Sequence, residues 1–172
     1  QEKSYVLEGT VNNAGSAIDW LSERQFISQP YQKLDSALLS IANPPLFINS
    51  ISGLGSPWWC KGPSPRFIDY EGHPLAALPS DGMLAATAES ILFLIQANLD
   101  CMLETRLPIQ NIMISGGLAQ CNPLCQKLAD LSGLTVQRPK LIEATARGIA
   151  WLAARKPPDW DQKVETARFF RE

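Results

Sequence analysis

Ile112-Met113-Ile114-Ser115-Gly116-Gly117-Leu118-Ala119-Gln120-Cys121-Asn122-Pro123 decides how this chain is read, because a short apolar run breaks into two glycines and then enters a helical pattern. Glycine has no Cβ. A doubled glycine at a strand end therefore lets a flat base or a phosphate approach the main chain, and the helix start that follows offers unpaired N–H groups. Alone, such a junction is more often only a tight connection, so its meaning depends on what surrounds it.

Working outward, residues 111 to 115 read as a central strand and residues 122 to 131 as a helix with Leu124, Leu128 and Leu131 inward. Gly133 then falls where a left-handed residue is expected. Residues 134 to 137 read as another strand. Residues 144 to 154, rich in small side chains, predict a helix packed closely on its neighbours and ended by Pro157-Pro158.

Upstream, Leu84, Ala88, Ile91, Leu92, Ile95, Leu99 and Met102 keep the helical period of about 3.6 residues, which predicts a long core helix over 83 to 103. Two amphipathic stretches precede it. Residues 11 to 26 put Ala14, Ala17, Ile18 and Leu21 on one stripe, with Gly15 and Asp19 one turn apart on another face; residues 31 to 42 put Leu34, Ala37, Leu38 and Ile41 inward and stop at Asn43-Pro44-Pro45. The glycine inside the first helix points either to close helix packing or to a ligand approaching the backbone. Tyr5-Val6-Leu7 is strand-like and Leu46-Phe47-Ile48 reads as a short buried strand. Residues 49 to 65, dominated by Ser, Gly, Pro and Trp, form an ordered irregular loop. This alternation predicts an α/β domain with a partly parallel sheet, its ligands outside the carboxyl ends of the strands.

With 172 residues and 45% hydrophobic content, the chain can bury one sizeable core and reads as one domain. A net charge of -2 with both signs interspersed creates no field for polyphosphate, which argues against nucleic acid and anionic membrane as partners. Cys60, Cys101, Cys121 and Cys125 form no zinc-like double pair and fit a reduced compartment. No apolar run reaches the length needed to span a bilayer and no secretory layout opens the chain, so a cytoplasmic location is expected. Starting at Gln1 and entering almost at once into a strand-like segment, the chain reads as cut from something longer.

Five segments carry a resemblance. They are Tyr5-Val6-Leu7-Glu8-Gly9-Thr10 running into Ala14-Gly15-Ser16-Ala17-Ile18-Asp19-Trp20-Leu21, then Ser52-Gly53-Leu54-Gly55-Ser56-Pro57-Trp58-Trp59, and Ala86-Thr87-Ala88-Glu89-Ser90-Ile91. Ser115-Gly116-Gly117 and Arg138-Pro139 with Glu143-Ala144-Thr145-Ala146-Arg147-Gly148 complete the set. In this order and at these separations they resemble the C-terminal half of the FGGY carbohydrate kinases, and the Trp-bearing loop is most similar to that of the family's glycerol kinases.

The resemblance implies a ribonuclease-H-like fold of the actin-type ATPases, a mixed sheet flanked by helices, incomplete at its N-terminal edge. Residues 1 to 156 would be the C-terminal nucleotide-binding domain and 157 to 172 a tail. In the family two such domains hinge around a cleft holding ATP, Mg²⁺ and the sugar or polyol. By the same resemblance Gly15, Asp19, Gly116 and Gly117 would line the nucleotide and Cys121 would lie close to adenine. The glycine turn would meet adenosine, and the first helix ribose and phosphate. Asp19 stands where the family's glycerol kinases have Gln, Cys121 where they have Asn, and Ser115 where they have Asp, its hydroxyl still able to cap the turn. The catalytic base and the aspartates that hold Mg²⁺ would belong to the missing N-terminal kinase domain, so the isolated chain is expected to turn over nothing.

Two other classes compete: a non-catalytic regulatory or interaction domain derived from this fold, and a carbohydrate-binding module built on Trp58 and Trp59. Loop tryptophans more often anchor the loop to the core, and that is the expectation for this pair. His73 reads as a surface histidine, Glu8 and Glu89 as hydrogen-bonding or capping groups, and Cys121 as either a reactive thiol at a helix start or a small residue tolerated by the turn.

Overall fold

In the computed structural model, which describes residues 5–24, 26–106, 108–158 and 166–171, the predicted stripe of the first helix is realised. Ala17, Ile18 and Leu21 are fully buried along α1 (Gly15–Glu23). The chain forms two compact units, 1–108 and 109–172.

In the first unit, α2 (Pro30–Ser40) begins with a proline whose missing N–H costs nothing in a first turn, and it buries Leu34, Ala37 and Leu38. It ends at Ile41, just before the Asn43-Pro44-Pro45 stop. A two-stranded antiparallel ribbon follows, β1 (Leu46–Ile48) with β2 (Arg66–Ile68). Phe47 and Phe67 face each other across it with ring centroids 4.7 Å apart, and Trp20 of α1 lies 5.5 Å from Phe47. The short β2 carries one buried residue, Phe67, and has too little alternation to announce itself in the sequence.

The 25-residue α3 (Ser80–Glu104) packs against α1, α2 and β1. Between Gly82 and Leu92 it is buried almost all round, as a core helix must be, and the hydroxyls of Thr87 and Ser90 donate back to the Met83 and Thr87 carbonyls at 2.8 and 2.6 Å. One expectation changes here. By length and composition α3 does reach what a bilayer crossing needs, and its burial within this unit gives it the role of a core helix instead. A second changes at Tyr5, Val6 and Leu7, which form no strand and are 87%, 91% and 50% exposed. Strand propensity does not suffice where no neighbouring strand accepts the pairing.

The second unit holds a mixed three-stranded sheet, β3 (Asn111–Met113), β4 (Thr135–Pro139) and β5 (Thr166–Phe169), in that order. β3 and β4 are parallel; β4 and β5 are antiparallel. The strand at the middle is therefore β4, with Val136 fully buried, and β3 is an edge among the described strands rather than the central strand expected. β5 lies within the stretch taken from the sequence as a tail.

α4 (Asn122–Ser132) packs on β4 and ends at Gly133, left-handed at φ 69° as its position predicts. Leu124, Cys125, Leu128 and Ala129 fill its inner face, while Leu131, in the last turn, is 40% exposed against expectation. α5 (Ala144–Ala153) is placed as predicted but buries no residue, which corrects the expectation of close packing. Its large apolar side chains Ile149 and Leu152 are 63% and 55% exposed, so its apolar face is left uncovered by the described residues.

Candidate functional site

At the end of β3 the chain turns on Gly116, whose φ of 90° and ψ of 179° belong to glycine alone. A Cβ built on Gly116 or on Gly117 meets no atom within 4 Å, so neither glycine is required by packing and bare main chain faces open space. A single 3-10 turn, Gly117–Gln120, leads into Cys121 and α4.

Backbone bonds hold this turn: Gly116 N–H donates to Ile142 O at 2.9 Å, Ala119 N–H to Gly116 O at 3.1 Å and Cys121 N–H to Leu118 O at 3.1 Å. Two side chains hold it as well. The Ala119 carbonyl accepts from Arg138 Nη1 at 2.7 Å and from Cys125 Sγ at 3.3 Å, and Arg138 also reaches Gln120 O at 3.3 Å. Arg138 in turn lies over the Phe169 ring, 5.4 Å from its centroid. In the sequence Arg138 stands out only through the resemblance, and its one local signal is an arginine just past the end of a predicted strand. Cys121 is buried at 5% exposure and belongs to the packing beneath the turn. Ser115 is exposed, and its hydroxyl caps nothing among the described residues.

In the first unit, Gly15 and Asp19 share a face of α1. Tyr31 Oη donates to Asp19 Oδ1 at 2.8 Å and lies 3.1 Å from Gly15 O. A Cβ at position 15 would stand 3.6 Å from that phenol oxygen, an ordinary contact, so helix packing does not demand the glycine. Burial pushes the Tyr31 phenol up to about 12, aided by its hydrogen bond to Asp19 and by that carboxylate's charge. Of the five residues singled out, Gly15 and Asp19 thus sit together in one unit, and Gly116, Gly117 and Cys121 together in the other.

The Trp-bearing loop is pinned at its root. Thr10 N–H donates to Ser56 Oγ, which donates to Asn98 Oδ1 at 2.6 Å, while Asn98 Nδ2 donates to Ser56 O at 3.1 Å and to Leu94 O at 2.8 Å. Gly55 abuts the Thr10 carbonyl so closely that no Cβ fits. Leu54 and Cys60 pair across the loop. Trp58 and Trp59 do not anchor it: they are 49% and 68% exposed, because the hydrogen bonds to Asn98 already do that work. His73 is exposed as expected; its backbone N–H and ring Nδ1 bond Asp69, and the backbone bond chiefly holds that carboxyl below the usual range.

Compared with known proteins, the fold is that of the sugar kinases of the actin and hexokinase type. It matches a glycerol kinase from Plasmodium falciparum solved with ADP (TM-score 0.73, 19% identity, 92% of this chain and 33% of that one). It also matches a ligand-bound xylulose kinase from Lactobacillus acidophilus (TM-score 0.71, 17% identity, 95% of this chain and 35% of that one). The chain belongs to the FGGY family of carbohydrate kinases, with residues 1–156 matching its C-terminal domain. Glycerol kinases of Trichodesmium erythraeum and Oceanobacillus iheyensis are 28% and 29% identical to it over 88% and 95% of its length. The chain spans about a third of the length of those relatives, 30% and 33%.

Proposed function

We propose that this chain supplies the nucleotide-holding part of an ATP-dependent kinase that phosphorylates a hydroxyl of a sugar or polyol. The observation that carries the reading is the open, glycine-only turn at Gly116 and Gly117 in a chain of this family. Adenosine lies against the bare main chain there, with the buried Cys121 supporting the turn on the adenine side. For Gly15 and Asp19, in the other unit, a role toward ribose and phosphate rests on the family resemblance alone. The Asp19 carboxylate accepts from a ribose hydroxyl and repels polyphosphate unless a cation intervenes.

Phosphoryl transfer also needs a carboxylate base for the hydroxyl proton and carboxylates that place Mg²⁺. Among the described residues the one group of His, Cys, Asp and Glu close enough to share an ion is Asp69, Glu71 and His73. It does not fit Mg²⁺, which wants free oxygens, because both Asp69 oxygens already accept from Glu71 and His73. By the family resemblance, the base and the Mg²⁺ ligands would belong to an N-terminal kinase domain. The work of this chain is to bind the nucleotide and to help exclude water as the intact protein closes in the cytoplasm.

Calorimetry of the chain with ADP tests the reading, and saturable one-site binding is expected. With ATP and a polyol panel the chain alone should release no ADP; robust turnover would show that a base has been overlooked. A second reading, a non-catalytic regulatory domain, is favoured by the Asp19 carboxylate itself, and a chain that folds but does not bind ADP would establish it.

A further inference from the structure

The loop between β1 and β2 encloses an open cavity of about 850 Å³, within the range of about 300–1,000 Å³ typical of small-molecule sites. Its chemistry is uneven. Trp59 lines it while 68% exposed, and Asn12, Ser50, Ser52 and Ser64 line it with hydroxyls and an amide. Lys61 is the one charged residue in the lining and has no salt-bridge partner among the described residues; no carboxylate faces it.

The cavity wall is built rather than slack. Gly53 and Gly62 have φ of 82° and 69°, and a Cβ on either would press on the Cys60 carbonyl at 3.0 Å or the Ser50 side chain at 2.9 Å. Trp58 and Trp59 N–H both donate to the Gly55 carbonyl, at 3.1 and 2.9 Å. These bonds hold Trp59 at φ 47°, a left-handed conformation that a bulky aromatic residue rarely accepts. A strained, mostly exposed indole on the wall of a polar cavity gains little from the packing of its own chain.

We propose that this cavity is a monosaccharide site, in which the apolar face of a sugar ring stacks on Trp59 and its hydroxyls exchange hydrogen bonds with Ser52, Ser64 and Asn12. The flat face of a pyranose carries C–H groups that complement the negative face of an indole, and its rim is all donors and acceptors. Lys61 has three donors and a positive charge, so it reads an acceptor oxygen of the ring substituents or, in a phosphorylated sugar, the phosphate. The site stands apart from the nucleotide reading, since none of the residues assigned to nucleotide lines it.

The test is a titration of the chain with D-glucose, D-xylose and glucose 6-phosphate, followed by tryptophan fluorescence and by calorimetry. Saturable binding of at least one is expected, with Trp59→Ala weakening it by about tenfold or more and Trp59→Phe retaining most of it. If glucose 6-phosphate binds tightest, Lys61→Met should bring its affinity down to that of glucose; if the neutral sugars bind equally well, the same variant should weaken all three only slightly. Because both side chains are exposed, either variant should fold, and circular dichroism checks that it does. No saturable binding of any of the three overturns the proposal, as does equal binding by wild type and Trp59→Ala. Self-association abolished by Trp59→Ala, without sugar binding, would assign the indole to a protein contact and overturn it as well. None of these outcomes depends on whether ADP binds.

Discussion

The guanidinium of Arg138 donates to the carbonyl of Ala119 at 2.7 Å, so the middle strand of one sheet holds the turn that follows its neighbour. That carbonyl lies inside the glycine turn and would otherwise face the packing of α4 without a charged partner. Replacing Arg138 by Met keeps the stem and removes the donor. The expected cost is about 1–3 kcal/mol in urea denaturation, with faster amide exchange across Gly117–Gln120. Unchanged exchange there would show that the backbone bonds alone fix the turn.

Gly116 and Gly117 should respond differently. Gly116 occupies a conformation closed to other residues, so Gly116→Ala should destabilise the chain by about 1–3 kcal/mol. Gly117 has no such φ and open space before it. Gly117→Val should therefore leave thermal stability nearly unchanged while weakening ADP binding about tenfold or more in calorimetry. Full ADP affinity in that variant would remove the main support for adenosine lying on this turn.

Asn98 is 8% exposed and answers both the hydroxyl and the carbonyl of Ser56. Asn98→Ala removes the donor to the Ser56 carbonyl and one acceptor of the Ser56 hydroxyl, which keeps only its bonds with Thr10 at the root of the Trp-bearing loop. A loss of about 2 kcal/mol is expected, measured as a fall in denaturant midpoint. Hydrogen exchange should speed up at Thr10 and in the loop before it does in α1.

Tyr31 should ionise at a higher pH than an ordinary tyrosine. Its phenol is raised from the ordinary 10.0 to about 12 in the folded chain, by burial first and then by Asp19. The stabilisation of its neutral form is complete below about 10 and is lost as pH climbs through about 12. In ultraviolet titration against wild type, Tyr31→Phe should lose the step near about 12; a variant with an identical alkaline limb would refute the pairing.

Periodicity made α1, α2, α3 and α4 legible because each buries a stripe whose spacing survives in the sequence, as Ala17, Ile18 and Leu21 do. The short strands were harder. β2 and β5 have three and four residues, and their partners come from elsewhere in the chain, so nothing local marks them. The turn at Gly116 was legible because a doubled glycine after an apolar run marks a backbone conformation closed to other residues. Arg138 and Tyr31 were not, since each acts through a contact that crosses between elements. The tryptophans misled for a related reason: apolar bulk predicts burial only when no hydrogen-bonded root has already secured the loop.

Gly55 passes so near the Thr10 carbonyl that the spacing between the entry segment, the loop and α3 is set at one point. Insertions or deletions on either side of that crossing would pull Asn98 out of step, whereas the solvent-facing rim bearing Trp58 and Trp59 has no such restraint. Descendants of this domain are thus free to drift at the rim, and with it in what they grip, while inheriting the crossing unaltered.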